Sequence, residues 1–248
     1  DAPVSYWKLG TSGADNLAGD LPLTTNGSIQ FGHGALYPVD EGSCYLTGGS
    51  QYFSHVDGAL ADLGDAFTLE AWIFPFGSTG TYRTIISKGV NAYTLAITGS
   101  GELVLRKGFV ADIVKSTNAI LDNGSPHHVA ATKNGATVKL YVDGVDVTGT
   151  VTNQTCSNNS SPLEIGREIS YNYWDGFLSD VSMQGFAVSG ARIAAHYAGR
   201  LKTYAAAAMT GTGSMDGTSR RKSYTAANLV GVGTLDAILV RRQPAAAN

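Results

Sequence analysis

Few residues in this chain are spaced for covalent chemistry. Glycoside hydrolysis needs two carboxyl groups facing each other across about 5–9 Å. Glu70 stands in an alternating apolar segment, opposite in parity to the apolar positions, and Glu102, Glu164 and Glu168 are isolated. No E-x-D-x-x-E arrangement occurs. His127 and His128 are adjacent, and neighbours on a strand point to opposite faces, so the pair is ill suited to one metal ion. One packed and one exposed histidine is the expectation. There is no H-x-x-x-H pattern and no Cys/His cluster. Cys44 and Cys156 have no nearby histidine in sequence, which predicts structural or inert thiols; one disulfide or two free thiols both fit. No catalytic residue is assigned, and the chain is expected not to be an enzyme.

Binding chemistry is better represented. The loop Gly13-Ala14-Asp15-Asn16-Leu17-Ala18-Gly19-Asp20 offers carboxylates, an amide and backbone carbonyls, the oxygen donors that calcium prefers. The same residues also suit turn capping without a metal. Tyr171, Asn172, Tyr173, Trp174 and Asp175 crowd a loop. Rings beside amides and a carboxylate can stack on sugar faces and bond their hydroxyls; a local cluster covering one end of the fold is the alternative. Arg220-Arg221-Lys222 and Arg241-Arg242 could touch phosphates, but Tyr224 is their only interleaved aromatic. An assembly contact is the expectation, with no direct nucleic-acid role.

These residues sit among short strands. Phe67 to Ile73 alternates, with Phe67, Leu69, Ala71 and Ile73 on one face. Thr84–Ser87, Tyr93–Ile97, Glu102–Leu105, His128–Thr132, Thr137–Val142, Val145–Val147, Leu163–Ile165 and Phe177–Met183 are further strand candidates, separated by turn signals. Asn134-Gly135 and Asp143-Gly144 predict hairpins, because Asn, Asp and Gly tolerate positive φ. One short helix is predicted over Ser189–Tyr197, capped by Ser189 without a capping box. This pattern predicts an all-β, antiparallel two-sheet sandwich rather than βαβ units.

Charge and composition divide the chain. Residues 1–199 carry 10 Lys/Arg and 18 Asp/Glu, a net of -8, whereas residues 200–248 carry 7 and 2, a net of +5. No segment reaches the roughly 18 apolar residues of a membrane helix, so no membrane insertion is expected. After Arg200 come an alanine run, a Gly/Ser/Thr-rich stretch and an apolar return from Leu229 to Val240. The expected organisation is a sandwich domain over 1–200 and a basic assembly arm with short strands over 201–248. Leu229, Val230, Ile238, Leu239, Val240, Arg241 and Arg242 are its candidate contacts.

The chain resembles the concanavalin A-like/laminin-G superfamily, in particular the three-numbered laminin-G branch of secreted bacterial and phage proteins. The resemblance rests on Tyr6-Trp7-Lys8-Leu9, Phe67–Pro75, Ile85-Ile86-Ser87-Lys88-Gly89, His127–Thr132 with Leu140–Gly144, Pro162–Gly166 and Asp175–Val181, in order over about 195 residues. It implies a jelly roll with Trp7 and Trp72 as framework residues. It also implies a calcium ion on Asp15 and Asp180, with Asp20 as a further ligand. The tail is similar in style to phage virion proteins. The function expected on that basis is a non-catalytic structural or attachment module of a phage particle, in its tail or as a capsid decoration, with glycan binding as an accessory role. A free-standing carbohydrate-binding module is the alternative, and a glycoside hydrolase of the same fold is a third reading. Expected partners are other virion proteins or the chain itself, for instance as a homotrimer, and a cell-surface glycan; the expected location is the virion surface or the extracellular space.

Overall fold

The computed structural model describes residues 3–14, 21–38, 42–76, 82–117 and 121–201. The chain divides into a unit of residues 1–205 and a second of residues 206–248; the assembly arm expected over 201–248 therefore lies outside the described residues, apart from Leu201. Within the described residues the strands are β1 (Ser5–Trp7), β2 (Thr24–Asn26), β3 (Gln30–His33), β4 (Ser43–Thr47), β5 (Tyr52–His55), β6 (Ala66–Pro75), β7 (Tyr82–Ser87), β8 (Tyr93–Thr98), β9 (Leu103–Lys107), β10 (Ala111–Lys115), β11 (His127–Asn134), β12 (Thr137–Val142), β13 (Val145–Asp146), β14 (Leu163–Ile165) and β15 (Asp175–Gln184), followed by the helix α1 (Gly190–Arg200). No helix among them is long and apolar enough to cross a membrane.

The strands form two antiparallel sheets. Sheet A runs β13-β12-β11-β6-β15-β4-β3, with β1 also paired to β15. Sheet B runs β10-β9-β8-β7-β14-β5-β2. The expected jelly-roll sandwich is what the chain adopts. Alternation in β6 has the predicted sense: Phe67, Leu69, Ala71 and Ile73 enter the core, where they join Ile85, Leu95, Ile97, Leu103 and Leu105 of sheet B. Burial of each such side chain contributes about 1.5–3 kcal/mol, which is why this face sets the register of the central strands. Trp7 is a framework residue as expected, fully buried with its indole N–H donating to the Leu21 carbonyl at 2.9 Å.

The Asp143-Gly144 hairpin forms as predicted, with φ of 51° and 76° at its two central residues. The other hairpin is displaced by one residue. Asn134 remains in β11, paired with Thr137, and the turn is Gly135-Ala136 with Gly135 at φ 57°. Lys88 of the I-x-S-K-G segment is buried, its ammonium 2.7 Å from Asp57 and 2.6 Å from the Ser161 carbonyl. Its role is to fasten loops to the end of β7. Both cysteines are free and buried. Desolvation raises the thiol pKa of Cys44 strongly and that of Cys156 to about 11, so neither thiol is activated.

The helix starts at its predicted cap, the Ser189 hydroxyl accepting from the Arg192 amide at 3.4 Å. It runs to Arg200, three residues past the predicted end, and Ile193 is its buried residue. Ile193, His196, Tyr197 and Arg200 recur at the three- and four-residue spacing that defines one helical face. That face lies over the outer surface of sheet A, where Tyr197 stacks on Trp72 with ring centroids 5.8 Å apart.

Candidate functional site

Two polar clusters lie on the outer faces of the sandwich, one on each sheet. On sheet B, cross-strand partners line up across the register: Asp112 with Arg106, Arg106 with Thr94, Thr94 with Ser87, Ser87 with Glu164, and Glu164 with Ser54. Partners in register share a face, so this row crosses the outside of the sheet. The β14–β15 connection folds back over it. Glu168 in that connection is fully buried, accepting from Thr94 at 2.8 Å and lying 2.9 Å from Arg106. Arg106 also meets Asp112 at 2.9 Å and stands over the Tyr82 ring at 3.9 Å. Burial alone would raise the Asp112 pKa, but bonds from Arg106, Lys115 and Tyr82 outweigh it and hold the carboxyl below its ordinary value.

This connection carries the aromatic loop singled out in the sequence, and the structure separates its members. Tyr171 is 64% exposed. Its ring meets Phe109, itself 44% exposed, in an edge-to-face contact with centroids 6.0 Å apart. Phe109 is held there by the turn after β9, where Gly108 lies so close to the Gly89 carbonyl that a Cβ at position 108 has no space. Asn172 donates to Glu168 at 2.9 Å, and Arg167 reaches the Tyr173 hydroxyl at 3.4 Å. Asp175 opens β15 opposite Thr47, and desolvation raises its pKa. Trp174 is the correction: it is fully buried in the core, with no ring face for a sugar. Parity explains it, since Trp174 precedes β15 pointing inward while the neighbouring tyrosines stay outside the core.

The second cluster lies on the outer face of sheet A, beneath α1. Glu70 pairs in register with Ala130 and Ser182, and Trp72 with His128 and Ser179. Between Ser179 and Ser182 the β15 register slips by one residue, a β-bulge. Asp180 occupies it at φ 47°. The bulge lets Leu178 and Val181 both enter the core while Asp180 and Ser182 turn toward the helix side. The result is a pocket of about 250 Å³ whose lining includes Glu70, Trp72, His128, Asp180, Gln184 and Arg200.

Inside it, Glu70 lies 3.3 Å from His128 Nε2 and 3.0 Å from His196 Nδ1, and it accepts from Gln184 at 3.3 Å. Desolvation would raise its pKa; bonds and charge from His128 and His196 overcome this and lower it to about 2. Asp180 accepts from the Tyr37 hydroxyl and lies 3.6 Å from Arg200. Desolvation dominates there, and its pKa rises to about 6 despite Arg200. His128 Nδ1 and Gln184 Oε1 are buried without a hydrogen-bond partner. The expectation of one packed and one exposed histidine is thus corrected: His127 is held between Asp143 at 2.7 Å and Asn123 at 3.1 Å, and both rings are buried. The helix covers the face on which His128 would otherwise meet solvent.

The implied calcium ligands do not assemble among the described residues. Asp15 and Asp20 lie outside them, and among the described residues no group of three or more His, Cys, Asp or Glu side chains is arranged to hold a metal. Asp180 is engaged by Tyr37 and stands beside the Arg200 guanidinium. A cation there would meet an existing positive charge, so this carboxylate does not fit a calcium site.

The fold and its polar outer faces define a jelly-roll sandwich of the concanavalin A-like type. Residues 47–194 match the laminin-G 3 family model, described as the concanavalin A-like lectin/glucanases superfamily, and the chain belongs to that family. No curated protein matches the chain. Among solved structures, domain 4 of AbnA, a GH43 extracellular arabinanase from Geobacillus stearothermophilus in complex with arabinotriose, is similar at 14% identity and a TM-score of 0.62, over 78% of this chain and 97% of that one. The binding domain of Paraclostridial Mosquitocidal Protein 1 is similar at 14% identity and a TM-score of 0.61, over 78% of this chain and 52% of that one. A structure of botulinum neurotoxin type C, whose cell entry is described as dependent upon interaction with two ganglioside molecules, is similar at 16% identity and a TM-score of 0.59, over 80% of this chain and 52% of that one. The chain spans about half the length of the toxin structures. At these identities the likeness is one of fold.

Proposed function

We propose that the domain is a non-catalytic glycan-binding module that uses the loop edge of sheet B. The observation that carries this reading is the exposed Tyr171–Phe109 pair beside the Arg106, Asp112 and Asn172 polar groups. An aromatic surface provides the apolar face a pyranose or furanose ring stacks on, and adjacent amide and charged groups supply bonds to its hydroxyls. The arabinotriose of one structural relative and the gangliosides of another support the ligand class. Catalysis is left out of the proposal for a geometric reason. Glu164 and Glu168 are buried in ion pairs with Arg167 and Arg106. Glu70 is enclosed by three partners and Asp180 is held by Tyr37, so neither is free to attack or protonate a glycosidic bond.

The test is a titration with arabino-oligosaccharides and with ganglioside oligosaccharides, followed by Tyr171→Ala. Saturable binding lost in the variant supports the reading; a variant that binds as before removes it. Attachment to a phage particle, on the virion surface or outside the cell, is a proposal resting on residues 201–248, where charge reverses and Leu229–Val240 turns apolar. Calcium held by Asp15 and Asp20 is likewise a proposal. Titration of the chelated full chain tests it, and a 1:1 binding event lost in Asp15→Asn is the expected result.

A further inference from the structure

Nine large apolar side chains are exposed among the described residues, and six of them, between 42% and 76% exposed, collect at one end of the sandwich. Val56 and Leu60 lie after β5, Val90 in the β7–β8 turn, Phe109 and Val110 in the β9–β10 turn, and Tyr171 in the β14–β15 connection. Printed contacts tie these loops together. The Asn91 amide donates to the Gly108 carbonyl at 3.0 Å, and the Gly108 amide to the Ala92 carbonyl at 2.9 Å. Lys88, just after β7, meets Asp57 at 2.7 Å and Asp62 at 3.4 Å, which fastens the loop of Val56 and Leu60 to the same end. Tyr171 touches Phe109. Phe109 itself is held at φ 56°, a conformation a bulky side chain adopts only where its surroundings fix it. The display of these side chains is therefore built into the fold.

The shape and charge of this end favour one kind of occupant. Val56, Val90 and Val110 offer a sugar neither a ring to stack on nor a hydrogen bond, so the glycan platform does not account for them. Val90 and Val110 sit in tight turns, closed by the Ala92 amide on the Gly89 carbonyl at 3.3 Å and by the Val110 amide on the Lys107 carbonyl at 2.9 Å. Such tips are convex, a poor shape for the roughly 800 Å² that each partner buries in a stable protein interface. A fluid headgroup layer closes around a tip of any shape and takes in apolar groups to a depth of about 5–10 Å. Asp57, Asp62 and Asp65 at this end are ion-paired with the buried Lys88 and Lys133, which reduces their repulsion of a phosphate. Lys107, two residues before Phe109, forms no ion pair among the described residues. We propose that this end of the sandwich docks on the surface of an anionic phospholipid bilayer without spanning it. Val90, Phe109 and Val110 enter the headgroup region, and Lys107 meets its negative charge. The proposal goes beyond the glycan reading; where both hold, Tyr171 reaches a glycan standing on the same surface.

The experiment is co-sedimentation of the full chain with vesicles of phosphatidylcholine and phosphatidylserine, run beside the oligosaccharide titration. The parent protein is expected to sediment with the vesicles. Val90→Ser combined with Val110→Ser is expected to weaken this at least about tenfold and to leave oligosaccharide binding unchanged. Lys107→Gln is expected to weaken it about fivefold, with the difference lost at high salt. Both valines are exposed, so the variants should fold; Val110→Ser alone decides the matter if the double variant does not. The basic residues 200–248 are the same in parent and variants, so vesicle binding that survives the double substitution belongs to them and overturns the proposal. Failure of the parent to sediment also overturns it, as does self-association of the parent that the same substitutions abolish, which would assign the tips to a second copy of the chain. A parent that binds oligosaccharide and not vesicles removes this proposal and leaves the glycan reading; one that binds vesicles and not oligosaccharide does the reverse.

Discussion

His196 Nδ1 lies 3.0 Å from Glu70 Oε2, joining the helix α1 to β6 within sheet A across 126 positions. The contact explains how a carboxylate on an outward-facing strand position comes to be buried and still ionised. Its two imidazole neighbours offset the desolvation cost, and the helix that brings one of them also closes the pocket.

The two pocket carboxylates act on stability with opposite signs. Glu70 has its pKa lowered to about 2, so its contribution is present above its unfolded value near 4.5 and is lost as pH falls toward 2. Asp180 has its pKa raised to about 6 from 3.8, so the folded state binds its proton more tightly and stability declines as pH rises through that window. Each is worth on the order of 3 kcal/mol. Urea denaturation is expected to show a gain from Asp180 between pH 7 and 4.5 and a loss from Glu70 below it. Asp180→Asn should flatten the upper limb and leave the lower one.

Replacing Tyr171 with alanine removes an exposed ring and little packing. Affinity for the glycan that binds should fall by about tenfold or more, while the midpoint of thermal unfolding stays within about 2 °C of the parent. A large drop in the midpoint would mean that the ring is part of the fold.

Trp174 is expected to behave in the reverse way. Trp174→Ala deletes a fully buried indole and should cost about 3–5 kcal/mol. Trp174→Phe should cost clearly less, because the indole N–H has no hydrogen-bond partner to lose. Denaturant midpoints for the two variants, compared with that of Tyr171→Ala, separate core from platform.

Cutting the chain after Leu201 leaves every described strand and α1 in place. The truncated domain is expected to unfold cooperatively, with a midpoint close to that of the full chain. If residues 202–248 form an assembly arm, oligomers of the full chain seen by light scattering should be absent from the truncated one. Unfolding on truncation would mean instead that the tail packs on the sandwich.

Much of this architecture was present in local pattern. The alternation of Phe67, Leu69, Ala71 and Ile73, the Asp143-Gly144 turn and the Ser189 cap are one-dimensional signals, because strand parity, positive φ and helix capping are decided within a few residues. The edge strands β2 and β3, and β5 beside β2, carried no such signal, since they are short and acquire their conformation by pairing with neighbouring strands. The aromatic loop was legible as a cluster, but not its division: Tyr171 outside and Trp174 inside follow from where β15 enters the sheet. The pocket was the least legible feature. Glu70, His128, Asp180, Gln184 and Arg200 are scattered from position 70 to position 200, and only sheet register and helix docking bring them together. Two hints were present, the three-residue step from Leu178 to Val181 that marks the bulge and the one-sided spacing of Ile193, His196, Tyr197 and Arg200. The sequence by itself determined strands, turns and the cap, because each depends on local sterics and periodicity. Which outward polar residues would be buried was decided only in the tertiary structure, because desolvation and ion pairing depend on what packs over them.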